Sequence, residues 1–152
     1  MLTVLAFAVA LGLLIAVHEY GHYRVAVACG VKVIRFSVGF GYPLLRWKPK
    51  VQRTGQDTEF VLGAFPIGGY VRMLDEREGP VPPQEAHRAF NARPLRQRAA
   101  IVAAGPLANL LLAVLLYTAV NWIGVQEPEP VLASPVAGSI AEFNRRCLES
   151  VM

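Results

Sequence analysis

The chain has 152 residues, which is the size of a single domain, and 54% of them are hydrophobic. Together with a positive mean hydropathy, this composition is too apolar for an ordinary soluble domain, so we expect a membrane protein. The net charge of +4 does not indicate a nucleic-acid partner, because the basic residues are interspersed with glycine, proline and aromatic residues rather than clustered on one helix face.

Residues 1–28 are predicted to form a first transmembrane helix. Up to Val17 the segment is almost uninterrupted Leu, Val, Ala, Phe and Ile, and helical character can continue to Ala28. About 20 apolar residues cross a bilayer, so the span is long enough once its polar turn is included. A secretory signal peptide is the alternative, but no Lys or Arg precedes Arg24 to form its basic region. Basic residues follow the segment instead, which predicts an N-terminus outside and a helix end in the cytoplasm.

The polar turn of this helix, His18-Glu19-Tyr20-Gly21-His22, has the H-E-x-x-H pattern. Residues four apart project from one helix face, so the two imidazoles can bind a single Zn²⁺ while the carboxylate, which is not a ligand, takes a proton from water. A chance match is the alternative, but ionisable groups at membrane depth are costly and usually mark a working site. The sequence therefore predicts His18 and His22 as metal ligands and Glu19 as the catalytic base.

Residues 29–98 are predicted to form a cytoplasmic loop region, because they hold 12 of the 15 Lys and Arg residues. Within it, residues 31–47 and 58–73 are rich in β-branched and aromatic residues punctuated by glycine and proline, which is typical of short strands. These strands are too hydrophobic for a water-exposed hairpin. One interpretation is a hairpin that re-enters the membrane beside the metal site and holds an extended peptide by strand addition. The other is a small cytosolic sheet packed against the helix ends.

Residues 99–123 are predicted to form a second transmembrane helix. Arginines precede it, and Tyr117 and Trp122 lie near its far end, where interfacial aromatic residues are common, so this helix should run outward. Residues 124–152 are punctuated by proline and lack a repeated apolar pattern, so we expect a tail that buries little surface.

Two further polar residues are considered as site residues. His87 lies in a proline-rich stretch predicted to be a surface loop, where a lone histidine is usually solvated, so it has little weight as a ligand. Asn109 follows Gly105 and Pro106 by about one helical turn. Either it packs against the first helix within a kinked span, or it has a direct catalytic role.

Four segments of the chain resemble the site-2 protease family of intramembrane zinc metalloproteases. They are HEYGH in the first helix, FSVGFG at 36–41, PIGGYVRMLDE at 66–76, and FNARPLRQRAAIVAAGPLANLLLA at 90–113. The resemblance implies that Zn²⁺ is the cofactor, His18 and His22 are ligands and Glu19 is the general base. It also implies that the strand region is the family's re-entrant β element, and that residues 124–152 are a periplasmic tail at the start of a truncated PDZ-like region.

One expected feature of the family is missing from the sequence. The family takes its third zinc ligand from an Asp in a Leu-Asp-Gly motif on a later membrane helix, whereas Leu74-Asp75 is followed here by Glu76 and lies before the second span. A catalytic zinc normally has three protein ligands and a water. Cys29 or a loop carboxylate could substitute, or the chain could be a truncated, catalytically incomplete fragment of such a protease.

We therefore expect an α-helical membrane protein, in which two transmembrane helices enclose a re-entrant β-hairpin or small sheet. The resemblance implies an intramembrane zinc endopeptidase of a bacterial inner membrane, with its N-terminus periplasmic and residues 29–98 cytoplasmic. Its partners would be the lipid bilayer and transmembrane protein substrates, cleaved in regulated intramembrane proteolysis such as that of an anti-sigma factor. A membrane metal carrier is a further hypothesis, but it should offer more ligands along its helices.

Overall fold

The computed structural model describes residues 1–53, 55–124 and residue 140. Its elements are helix α1 (Leu2–Ala28), strand β1 (Val33–Trp47), strand β2 (Glu59–Met73), a short 3-10 helix (Ala86–Arg88) and helix α2 (Leu95–Ile123). The chain divides into two compact units, Met1–Ala119 and Val120–Met152. The predicted tail at 124–152 lies outside the described residues except for Gly124 and Ile140.

Helices α1 and α2 are both long and apolar enough to cross a membrane. Their 27 and 29 residues correspond to about 40 Å of helix, more than the hydrocarbon thickness of a bilayer. Large apolar side chains along both helices are exposed, as expected of surfaces that face lipid. The prediction of two long apolar helices is confirmed. Helix α2 starts four residues before the predicted 99, because the polar first turn is helical as well and the backbone N–H groups of Gln97 and Arg98 donate to the Pro94 carbonyl.

Strands β1 and β2 form a two-stranded antiparallel sheet, as predicted. The sheet is folded over on itself, because Ser37 in β1 has register partners in both halves of β2, Val61 and Tyr70. The bend follows directly in β1, where Gly39 and Gly41 have φ of 88° and 82°, values that favour glycine. The first half of β1 therefore lies between the two ends of β2.

The second half of β2, residues 69–73, is an edge of this sheet. Its register partners all lie in the first half of β1, at residues 33–38, and within the described part of the chain no strand pairs with its other side. Arg35 links the first half of β1 to the start of β2, because it forms an ion pair with Glu59 at 2.7 Å. The Tyr70 phenol and the Glu59 carboxylate hold the pKa of Arg35 above its usual value.

The loop region is anchored to the end of α1 by a small apolar core and by hydrogen bonds. The core consists of the buried side chains Ala26, Val31, Val33 and Ile101. Arg93 donates to the Gly30 carbonyl at 2.6 Å, which satisfies a backbone acceptor just beyond the helix end. Helix α1, the sheet and the start of α2 are thus fixed relative to one another around the predicted metal-binding turn.

Candidate metal centre

The α1 turn 18–22 brings the two predicted ligands together. The Nε2 atoms of His18 and His22 are 3.2 Å apart, and the two rings are edge-on with centroids separated by 4.8 Å. When a tetrahedral zinc lies about 2.1 Å from two nitrogens, those nitrogens are roughly 3.4 Å from each other. The imidazoles are therefore spaced as two ligands of one ion.

The orientation of His22 is set by the backbone of α2. Its Nδ1–H donates to the Ile101 carbonyl oxygen at 2.7 Å. A neutral imidazole with its proton on Nδ1 carries its lone pair on Nε2, which is the atom directed at His18. Metal-binding histidines commonly donate their second nitrogen to such a carbonyl, so His22 has the surroundings of a ligand.

The orientation of His18 involves Asn109, which also lies on α2. The His18 Nδ1 atom is 3.4 Å from the Asn109 amide nitrogen. The Asn109 Oδ1 atom is buried and has no hydrogen-bond partner among the described residues. Asn109 thus packs against the first helix, as one interpretation of the sequence expected, and it contacts a predicted ligand.

Helix α2 carries no side chain where it faces the two Nε2 atoms. A Cβ built on Gly105 would contact His22 Nε2 and would lie 2.8 Å from His18 Nε2. The lack of a side chain at this buried glycine therefore lets the α2 backbone lie directly against both Nε2 atoms. The two nitrogen donors, their spacing and the carbonyl partner of His22 fit a zinc ion.

Glu19 lies in the wall of a cavity next to this site. The cavity has a volume of about 300 Å³, which is room for several water molecules. It is lined by Glu19, His22, Val71, Met73, Asp75, Glu78, Phe90, Ile101 and Val102. The cavity therefore offers space for water beside Glu19 and His22, on the side where the loop region lines it.

The edge of the sheet passes close to Glu19. A Cβ added to Gly69 would lie 2.8 Å from Glu19 Cγ and 2.7 Å from the Ser37 carbonyl oxygen. Only a glycine lets the β2 backbone approach α1 this closely. The hairpin is thus beside the predicted metal site, and its unpaired edge begins at the residue that contacts the predicted base.

A third ligand is not found with the other two. Within residues 1–53, 55–124 and 140, no group of three or more His, Cys, Asp or Glu side chains is placed to hold a metal ion. Cys29 is a free thiol just beyond the end of α1, and His87 is exposed in the 3-10 helix. Asp75 shares the cavity with Glu19 without completing such a group.

Sequence reasoning missed two α2 contributions and one β2 contribution to this site. The Ile101 carbonyl and the Gly105 hydrogen have no side-chain signature, although they lie eight and four residues before Asn109, which the sequence did indicate. Gly69 was recognised only as part of a strand segment. Asn109, a polar residue in an apolar helix, was thus the one sequence signal that this face of α2 contributes to the site.

Known proteins match this chain closely. The model of Peptidase family M50 matches residues 6–149. The chain is 54% identical over 147 residues to a Ralstonia nicotianae protein named "Putative zinc metalloprotease RSc1411", covering 93% of this chain and 31% of that protein. It is 52% identical over 136 residues to the "Regulator of sigma-E protease RseP" of Escherichia coli, and equally to the "Protease RseP" of Yersinia pestis, covering 90% of this chain and 29% of each relative. The chain spans about 30% of the length of these relatives.

Proposed function

Because the chain belongs to peptidase family M50, as its resemblance to the site-2 proteases predicted, we propose that it supplies the His18–His22 part of a zinc endopeptidase that cleaves peptide bonds within the membrane. The observation that carries the proposal is the 3.2 Å separation of the two Nε2 atoms beside a water-accessible carboxylate. The names of the relatives support a zinc-dependent protease.

In this proposal the three ionisable residues of the turn have different roles. His18 and His22 hold Zn²⁺, which when bound supplies a Lewis acid that lowers the pKa of water and polarises a carbonyl. Glu19 accepts the proton of the attacking water from the cavity side. The same carboxyl group then donates the proton to the amine that leaves when the peptide bond breaks, so that the carboxylate is regenerated.

The substrate has to be extended before it can react. In a transmembrane helix the scissile carbonyl is hydrogen-bonded and surrounded by side chains. The edge of β2 at residues 69–73 offers backbone partners to an extended strand, and this edge starts beside Glu19. Strand addition there would align a substrate segment along the side of the turn that carries the base.

The proposed setting is a bacterial inner membrane, with α1 and α2 as spans. Their length and apolar surface support the spanning role. The concentration of basic residues at 29–98 supports a cytoplasmic loop region, and hence a periplasmic start of α1. The apolar sheet would re-enter the membrane from that side. Transmembrane proteins, such as an anti-sigma factor, are the proposed substrates.

The test of the function is the substitution Glu19→Gln in the intact protein purified in detergent. It removes the base but keeps the shape of the side chain and leaves both imidazoles in place. We expect cleavage of a transmembrane model substrate to fall to background while the zinc content is unchanged. The matched control is Asp57→Asn, an exposed carboxylate whose neutralisation should leave cleavage intact. Undiminished cleavage by Glu19→Gln would exclude Glu19 from the mechanism.

A catalytically incomplete fragment is the second candidate, favoured by the lack of a three-residue metal cluster in the described part of the chain. Zinc retention separates the two candidates. A site with two protein ligands should lose its metal to a mild chelator, whereas a site with three protein ligands should retain it. The measurement is the zinc content of the purified chain after dialysis against such a chelator.

A further inference from the structure

We propose that α2 forms the second wall of the metal centre, through three residues that orient the two imidazoles and keep side-chain atoms away from their Nε2 atoms. The three are Ile101, Gly105 and Asn109. This inference rests on the proposed zinc site, although it does not require that a peptide bond is cleaved there.

The spacing of these residues places them on one face of α2. Each is four residues from the next, so they form a row along the helix. Close packing at Gly21 brings this row to α1, because a Cβ there would lie 2.5 Å from the Ala104 carbonyl oxygen and 2.8 Å from Ala108 Cβ. The two backbones therefore approach directly at the turn that carries the histidines.

Ile101 contributes its carbonyl group. The hydrogen bond from His22 Nδ1 at 2.7 Å fixes the ring and keeps the proton away from Nε2. Pro106 lies in the following turn of the same helix and has no N–H for the carbonyl four residues earlier, Val102. The hydrogen-bond ladder of α2 is thus interrupted next to the carbonyl that His22 uses.

Gly105 is important because it has no side chain. Its Cβ position contacts both Nε2 atoms, and these are the atoms whose lone pairs the two histidines would direct at a metal. If this glycine served only the packing of the two helices, a small residue would be needed beside the imidazole rings but not directly opposite the Nε2 lone pairs. A methyl group at residue 105 would collide with both Nε2 atoms.

Asn109 is a positioning residue for His18. Rotation of its amide by 180° exchanges nitrogen and oxygen, so that the buried Oδ1 atom, which lacks a partner, faces His18 Nδ1 at hydrogen-bond distance. In this arrangement the His18 Nδ1–H donates to Oδ1. Both histidines would then carry their protons on Nδ1, so that both Nε2 lone pairs are available to a metal ion.

The first experiment measures zinc affinity by competition with a chelator, on the intact protein in detergent. We expect Gly105→Ala to weaken zinc binding by about 100-fold or more, because the new methyl group lies at the lone-pair nitrogens. The matched control is Gly12→Ala, which also adds a methyl group to a glycine within a membrane helix but meets nothing within 4 Å. Wild-type zinc affinity in a folded Gly105→Ala protein would overturn the proposal.

The second experiment keeps the proposal testable if Gly105→Ala does not fold. Asn109→Leu is close in shape but cannot accept a hydrogen bond, whereas Asn109→Asp retains the acceptor. We expect Asn109→Leu to lower zinc affinity by about 10- to 100-fold and Asn109→Asp to restore it. The imidazole ¹⁵N and Nδ1–H shifts of the zinc-loaded protein should show a hydrogen-bonded His18 Nδ1–H in the wild type and in Asn109→Asp, and loss of that hydrogen bond in Asn109→Leu.

The outcomes separate this inference from the proposed function. Zinc binding that is unchanged in Asn109→Leu, with unchanged His18 shifts, would overturn the role of α2 and leave the protease proposal standing. If both α2 variants lose zinc while the wild-type protein binds zinc but cleaves no peptide, the role of α2 is supported and the protease proposal is contradicted. A wild-type protein that binds no zinc would overturn both.

Discussion

Helices α1 and α2 face each other across the candidate metal centre, but they contribute to it in different ways. Helix α1 contributes side chains, the two imidazoles and the carboxylate of its polar turn. Helix α2 contributes a backbone carbonyl, a missing side chain and one amide. The comparison teaches that one wall of a site can be recognised from residue types alone, whereas the opposite wall is recognised only when the helices are packed together.

The largest effect is expected from the α1 wall. Substitution of His18 by Ala removes a ligand, and a remaining single imidazole cannot hold zinc with the affinity of a pair. We expect zinc affinity to fall by more than the roughly 100-fold that loss of an outer-shell partner costs, and cleavage to fall to background. Zinc content and cleavage of a model substrate are the measurements. His87→Ala is the control, because His87 is exposed in the 3-10 helix and should be neutral.

The two walls also differ in how well the sequence predicted them. The apolar runs and the H-E-x-x-H spacing sufficed to predict two long helices and the grouping of His18 with His22, and the β-rich segments sufficed to predict a hairpin. The fold-over that pairs Ser37 with both Val61 and Tyr70 was not predictable, because alternation within a strand does not report which strands meet. The catalytic and ligand roles stay predictions until variants are measured.

The α2 wall was unpredictable for a physical reason. A backbone carbonyl is present at every position, and a glycine in an apolar helix is compatible with packing as well as with a site. Only Asn109 stood out, because a buried polar amide needs a partner that an apolar span does not provide. Its packing against α1 is shown by the distance to His18, and a direct catalytic role stays a prediction.

The second prediction tests whether a glycine in β2, like the one in α2, is needed to keep a site residue in position. Gly69→Ala would place a methyl group 2.8 Å from Glu19 Cγ and against the Ser37 carbonyl, so the carboxylate or the strand has to move. Displacement of a catalytic group by about 1 Å can cost about 100-fold in rate, and we expect a loss of cleavage of that order with zinc retained. Gly79→Ala, which meets nothing within 4 Å, is the control for cleavage and zinc assays.

The third prediction tests whether the distance between the two walls matters. In Gly21→Ala the new methyl group would meet the Ala104 backbone at 2.5 Å, and backbone cannot move aside as a flexible side chain can. We expect the helices to separate slightly, with a loss of about 1–3 kcal/mol in stability and a weaker contact between Asn109 and His18. Thermal unfolding in detergent and the His18 ¹⁵N shifts are the measurements. Equal stability and shifts in Gly21→Ala and Gly12→Ala would show that the helix spacing is not critical.

The smallest effect is expected at Pro106. This residue has no N–H, so the Val102 carbonyl of α2 lacks its usual helical hydrogen bond. Pro106→Ala restores an N–H for the Val102 carbonyl and tightens the helical turn next to the carbonyl that accepts from His22. If the interrupted ladder helps to turn the Ile101 carbonyl towards α1, the His22 hydrogen bond should lengthen and zinc affinity should fall by less than about 10-fold. The His22 Nδ1–H proton shift reports this bond directly. An unchanged shift would mean that the carbonyl is held by the packing at Gly21 alone, so that the proline shapes the membrane span and not the metal centre.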